Sequence, residues 1–328
     1  MLGNRKVIFK CVTGSHLYGT NLPTSDDDYT GVFLPSTEDL LGLKHMPKEI
    51  TDNIKITDSV RNAKGDVDCK YLSLPHFLRL AMEGQSIAIE LFFVPEDKIL
   101  EATPEWHTLT ANKEHIFSRK GIAPFIGFAM AQANKSEIKG LNLAKIRGLI
   151  AILRTELEKH GSTTRLLCDV FDDVTMTDIN IKGIRVNKRL ADDRKTDVIE
   201  IAGRCFNLNI RLKMFVLALE KMESRYGSRS ENAAKEGIDY KSLCHAYRLV
   251  SEAQEFLLYQ TITLPRPDAN FLKSIRQGEY QTNFRDEINN KIAYIKEEIE
   301  PKSTLRQKPG FNQVNKLCME ILAEHIKS

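Results

Sequence analysis

The stretch Thr13–Pro35, TGSHLYGTNLPTSDDDYTGVFLP, constrains the fold more than any other part of the chain. Asp26, Asp27 and Asp28 stand directly ahead of Tyr29–Leu34, an apolar run rich in aromatic and β-branched residues that Pro35 closes. Such a run belongs in a sheet, against a core. Three like charges at its mouth then need either water or a counter-charge. A solvated turn is the plain answer, because Asp supports Asx-turns and disfavours helix. Strand alternation offers another: Asp26 and Asp28 would share one face, with Asp27 on the other. Two carboxylates on one face repel unless a hard cation joins them. Mg²⁺ takes one or two carboxylates and completes its shell with water and phosphate oxygens.

Two neighbouring segments bear on that choice. Gly14-Ser15 forms a small turn after the β-rich run Lys6–Val12. Gly permits close backbone approach, and Ser15 is placed to cap a short helix through His16–Gly19. Free amides at such a turn bind phosphate. His16, beside the turn, is either a phosphate donor or a helix residue without chemistry. In the alternating run Asp66–Leu74, Asp66, Asp68 and Lys70 share a face. If this strand pairs with the one before it, Asp68 faces Asp26 and Asp28. Asp66 is the alternative. Three carboxylates in one cleft would suit two-metal phosphoryl transfer.

The remainder sets the frame. At 328 residues the chain exceeds what one core usually serves, so two packed units are expected. Hydrophobic content of 42% and charged content of 28% are those of an ordinary globular protein, and a net charge of +3 does not by itself mark a nucleic-acid binder. The six cysteines form no CxxC pair, which favours reduced thiols over zinc or disulfides. With no long apolar run, neither a membrane span nor a signal peptide is expected, and the protein reads as cytoplasmic. Pro75–Gly84 has helix punctuation, and Ala88–Pro95 reads as a strand or a helix end. From about residue 104 apolar residues recur at helical spacing. Residues 161–204 are less regular and suit a hairpin or long loop.

The Gly-Ser turn, the Asp26-x-Asp28 pair and the distant Asp68 together resemble the DNA polymerase β-type nucleotidyltransferase superfamily. The full stretch is most similar to its RNA-repair-pathway (RlaP-type) branch, with a Gly-Ser-x-x-Tyr-Gly turn, a Ser-Asp-x-Asp-aromatic strand and a Gly-Val-Phe ending. The segment Asp68–Phe93, with its Ser86-x-x-x-Glu90-Leu91 run, and the Lys241…His245…Arg248 helix extend the likeness. Asp27 stands where an apolar or aromatic residue is usual, and Thr30 where Arg is frequent. The resemblance implies an α+β chain: a small mixed-sheet, polymerase β-like catalytic domain over residues 1–103, then a larger, mainly helical domain over residues 104–328.

It also implies a chemistry. Asp26, Asp28 and Asp68 would be the catalytic and metal-binding carboxylates for Mg²⁺, or Mn²⁺. Gly14, Ser15 and His16 would receive the triphosphate of an NTP. Lys241, His245 and Arg248, spaced four and three apart, are either the solvated face of an amphipathic helix or a cationic stripe along the cleft. Arg225, Arg229 and Lys235 would lie in a loop over the same cleft. NMP transfer to an RNA 3′ end is the leading expectation. Transfer to a protein hydroxyl (AMPylation) and a non-catalytic nucleotide- or RNA-binding module are the alternatives.

Overall fold

The computed structural model describes residues 2–23, 25–43, 45–54, 67–160, 164–170, 178–181, 184–190, 197–201, 204–224, 239–280 and 283–327. Asp66, Arg225, Arg229 and Lys235 lie outside them. The architecture is α+β: an N-terminal mixed sheet followed by a mainly helical region. The chain divides into two compact units, one formed by Met1–Ala133 with Cys244–Ser328 and the other by Asn134–Leu243.

The first unit carries five strands: β1 (Lys6–Thr13), β2 (Asp27–Leu34), β3 (Glu49–Ile54), β4 (Val67–Ser73) and β5 (Ile99–Ala102), in the order β3-β4-β2-β1-β5. The pair β1–β2 is antiparallel, and β2–β4 is parallel with Asp28 opposite Asp68. β1 and β2 are joined through a short helix, α1 (Gly14–Tyr18). The capping expectation is corrected here: Thr13 is the N-cap residue, its side chain makes no capping bond, and Ser15 lies inside the helix. Helix α2 (Thr37–Leu41) follows β2, opened by a capping box between Ser36 and Asp39.

Helix α3 (Leu74–Met82) has Pro75 in its first turn and buries Leu74, Phe77, Leu78 and Ala81, the spacing of one helix face. Residues 88–93 resolve as helical, and Val94 and Pro95 are extended. Helix α4 (Ser86–Ile89) runs into a 3₁₀ turn, Glu90–Phe93, which buries Glu90, Leu91 and Phe92 together. Burial of three consecutive residues fits a tight turn inside the core better than an alternating strand. Helix α5 (Pro104–Ala111) supplies Trp106, which stacks on Phe9 of β1 at 3.9 Å between ring centroids. Phe77 and Phe92 extend this aromatic core.

Helix α6 (Ile122–His160) leads into the second unit, where α7 (Leu212–Glu223) and a four-stranded antiparallel sheet are found: β6 (Asp178–Ile181), β7 (Ile184–Leu190), β8 (Asp197–Ile201) and β9 (Arg204–Asn207). A whole sheet thus occupies the stretch expected to hold a hairpin or long loop. The chain returns through α8 (Tyr240–Tyr259), followed by α9 (Ala269–Gln277), α10 (Phe284–Tyr294) and α11 (Phe311–Lys327). Phe256 of α8 packs edge-on against Phe93 and Phe117, so this helix belongs to the core of the sheet unit. Among the described residues no helix is long and apolar enough to cross a membrane.

Candidate active site

The parallel pairing of β2 with β4 aligns Asp28 with Asp68, so both side chains leave the same face of the sheet. Adjacent strands lie roughly 4.8 Å apart, which brings two such carboxylates within reach of one cation. Both line a cleft of about 400 Å³ in the first unit, together with Gly14, Lys70, Glu90 and His245.

Gly14 abuts Asp28 directly. Its φ is +62°, and a Cβ there would fall 2.2 Å from Asp28 Oδ2. The position therefore requires glycine twice over, once for its left-handed backbone and once for the carboxylate beside it. Asp26 is placed differently from expectation. β2 begins at Asp27, paired with Val67, so strand alternation does not extend back to Asp26, which is not among the cleft-lining residues. Among the described residues, no group of three or more His, Cys, Asp or Glu side chains is arranged to hold a metal ion. What fits a hard divalent cation is the Asp28–Asp68 pair, the number of carboxylates Mg²⁺ takes when phosphates complete its shell.

His16 faces Asp27, with Nε2 3.6 Å from Oδ1. The contact is one of proximity, since His16 Nε2 is buried without a hydrogen-bond partner. Ser15 lies in α1.

The Lys241–His245–Arg248 stripe separates into three environments. His245 is half-buried and lines the cleft. Lys241 is half-buried and falls in the residues of the second unit. Arg248 is neither solvated nor at the cleft surface. It is buried, with Nη1 donating to Glu90 at 2.9 Å and to both Glu252 oxygens at 2.7 Å. Its guanidinium lies 3.6 Å from the ring centroid of Tyr18, and the Tyr18 hydroxyl donates to the other Glu90 oxygen. Burial pushes the Tyr18 hydroxyl well up, Arg248 opposing, whereas the two carboxylates hold Arg248 well above the usual guanidinium range despite its burial. Tyr18 and Glu90 both line the cleft, so Arg248 supports its wall from behind.

Several contacts at the site give no clear sequence signal. Glu90 is marked in the sequence by the Ser86-x-x-x-Glu90-Leu91 run, but its bond to Arg248 is not. Arg276 of α9 donates to the Thr20 carbonyl at 2.7 Å and to Ser25 Oγ at 3.3 Å. Arg266 donates its backbone N–H to the Tyr18 carbonyl at 3.1 Å. These contacts tether the loop between α1 and β2 from some 250 residues away in sequence, a separation local pattern cannot reveal.

Residues 3–158 match the model of a family described as RNA repair pathway DNA polymerase beta family. An uncharacterized 38.9 kDa protein from the nrdC–mobD intergenic region of Enterobacteria phage T4 is 25% identical over 324 residues, 94% of this chain and 93% of the phage protein. No solved structure matches the chain.

Proposed function

We propose, from the match of residues 3–158 to the model of the RNA repair pathway DNA polymerase beta family, that this chain is a nucleotidyltransferase that moves a nucleoside monophosphate from an NTP to the 3′-hydroxyl of an RNA in a Mg²⁺-dependent reaction. The observation that carries the proposal is the Asp28–Asp68 register pair opening into one cleft against Gly14. Asp28 and Asp68 would hold the metal, which when bound screens the triphosphate and favours the alkoxide form of the attacking hydroxyl. Asp26, one residue ahead of β2, is kept as a candidate third carboxylate.

The chain's own groups supply the positioning. Gly14 lets the Asp28 carboxylate pack directly against the turn, where a Cβ would collide with it, and the triphosphate would lie along the backbone of that turn. His245, on the α8 side, would donate a hydrogen bond to a phosphate oxygen. Lys70 lies two residues beyond Asp68 on the same strand face, where an incoming acceptor would meet it. The acceptor oxygen forms a bond to the α-phosphorus as the bond to pyrophosphate breaks. The hydroxyl proton leaves to solvent or to a carboxylate.

The test is transfer of label from each NTP to single-stranded RNA by the full chain. Asp68→Asn should lower transfer roughly 100-fold or more, the scale for losing one charge-stabilising group. Label on protein instead of RNA would redirect the acceptor assignment. Tight nucleotide binding by the parent without turnover would replace the enzyme with a binding module.

A further inference from the structure

A basic band runs from the Asp68 side of the cleft onto the outer surface. It begins at Lys70, on the cleft wall two residues beyond Asp68. The start of α3 continues it. The Ser73 backbone N–H donates to the Lys48 carbonyl at 2.9 Å, which fixes the Lys48 segment beside the helix N-terminus. His76 and Arg79 follow three and six residues after Ser73, one turn apart on a common helix face. Lys48 and Arg79 are exposed. The charged groups facing His76 are Lys48, Arg79 and Lys70 against the carboxylate of Glu49, which pairs with Lys70 Nζ at 2.7 Å. Three cations therefore gather with one anion. Burial first, then Lys48 and the other cations, hold the imidazole below its usual pKa.

We infer that Lys48, Lys70 and Arg79 form the track along which a single-stranded polyanionic acceptor, an RNA 3′ segment, reaches Asp68. The inference deepens the transferase reading and rests on it for the direction of the strand. A cation row beside a catalytic carboxylate has a clear electrostatic use: phosphates fix a strand's position without reading its bases. A protein hydroxyl brings no such repeating charge, so the band favours RNA. His76, short of protons among these cations, stays neutral near pH 7 and can hydrogen-bond a sugar or phosphate without adding charge.

The experiment leaves the cleft intact. Lys48→Glu with Arg79→Glu, both surface changes, is compared with the parent and with a control pair, Lys213→Glu with Lys221→Glu, on the exposed side of α7. A 5′-labelled single-stranded RNA is titrated by fluorescence anisotropy over a range of salt, and Mg²⁺–ATP binding is followed by calorimetry. The band variant should bind RNA at least tenfold more weakly, with a salt slope shallower by about 1.4, since each phosphate contact in a single strand contributes about 0.7. Its ATP affinity should stay within twofold, and the control pair should match the parent. Unchanged RNA affinity in the band variant, or an equal loss in the control pair, would overturn the track. So would a parent that labels protein hydroxyls while failing to bind RNA. RNA binding through the band in a parent that transfers nothing would uphold the track and remove only the transferase reading.

Discussion

Taking a guanidinium out of water costs several kcal/mol unless carboxylates replace the lost hydration. Around Arg248 the charge is more than matched, though not every donor is: Glu90 and Glu252, both buried, share one cation through Nη1 and the Tyr18 ring covers it, while the buried Nε has no hydrogen-bond partner. Burial therefore pushes the Glu252 carboxyl up to about 8 from the ordinary 4.5, although Arg248 pulls it down. A carboxyl raised on folding holds a proton in the native chain that the unfolded chain has lost. Its stabilising contribution is full below about 4.5 and fades as pH rises through about 8. Thermal melts from pH 5 to 9 should show the parent losing stability towards pH 8, and Glu252→Gln should flatten that slope. A variant that keeps the parent's slope would show that the excess proton resides elsewhere. Arg248→Met takes the shared cation away from buried Glu90 and Glu252, while the Tyr18 hydroxyl still donates to Glu90, and should cost about 3–5 kcal/mol in denaturant unfolding, the range for breaking a buried pair.

Among the elements, the β1–α1–β2 connection has the most demanding geometry. An L-residue pays roughly 1–2 kcal/mol to adopt a left-handed conformation. At Gly14 a methyl group would also collide with the Asp28 carboxylate. Gly14→Ala should therefore lower stability modestly while cutting nucleotide transfer at least tenfold, because the turn or Asp28 must move. Activity at parent level, measured on folded protein, would remove the turn from the site. This element was legible in the sequence because its constraints are local: a glycine, an aspartate at a fixed interval, and a β-rich run ended by proline. The shared face of Asp66, Asp68 and Lys70 raises the pairing of β4 beside β2 only as a condition; its parallel sense comes from the structure alone. β3 and β5 gave little signal, since EITDNI is half polar and ILEA is only four residues long. Arg248 was misleading for a physical reason. Charge at helical spacing usually means water, and only tertiary packing brings Glu90 to meet it from 158 residues away.

At the scale of the whole molecule, the sheet unit is closed by both ends of the chain, and Arg276 near one end secures the loop that leads to Asp26 and Asp28 near the other. Bound ligand in the cleft should therefore report on the folding of that unit. Without a cation, Asp28 and Asp68 are like charges on adjacent strands, an arrangement that costs stability. Asp28→Asn keeps the shape and removes one charge, so the ligand-free variant should melt at or slightly above the parent. Mg²⁺–ATP at a hundred times its dissociation constant should stabilise the parent by about 2.7 kcal/mol, because only the folded cleft binds it. The variant should lose most of that gain, and transfer should fall with it. A structural Asx turn at Asp28 makes the opposite demand: the variant would melt early without ligand and still transfer nucleotide. Paired melts with and without Mg²⁺–ATP, run beside the transfer assay, separate a carboxylate kept for its cation from one kept for its turn.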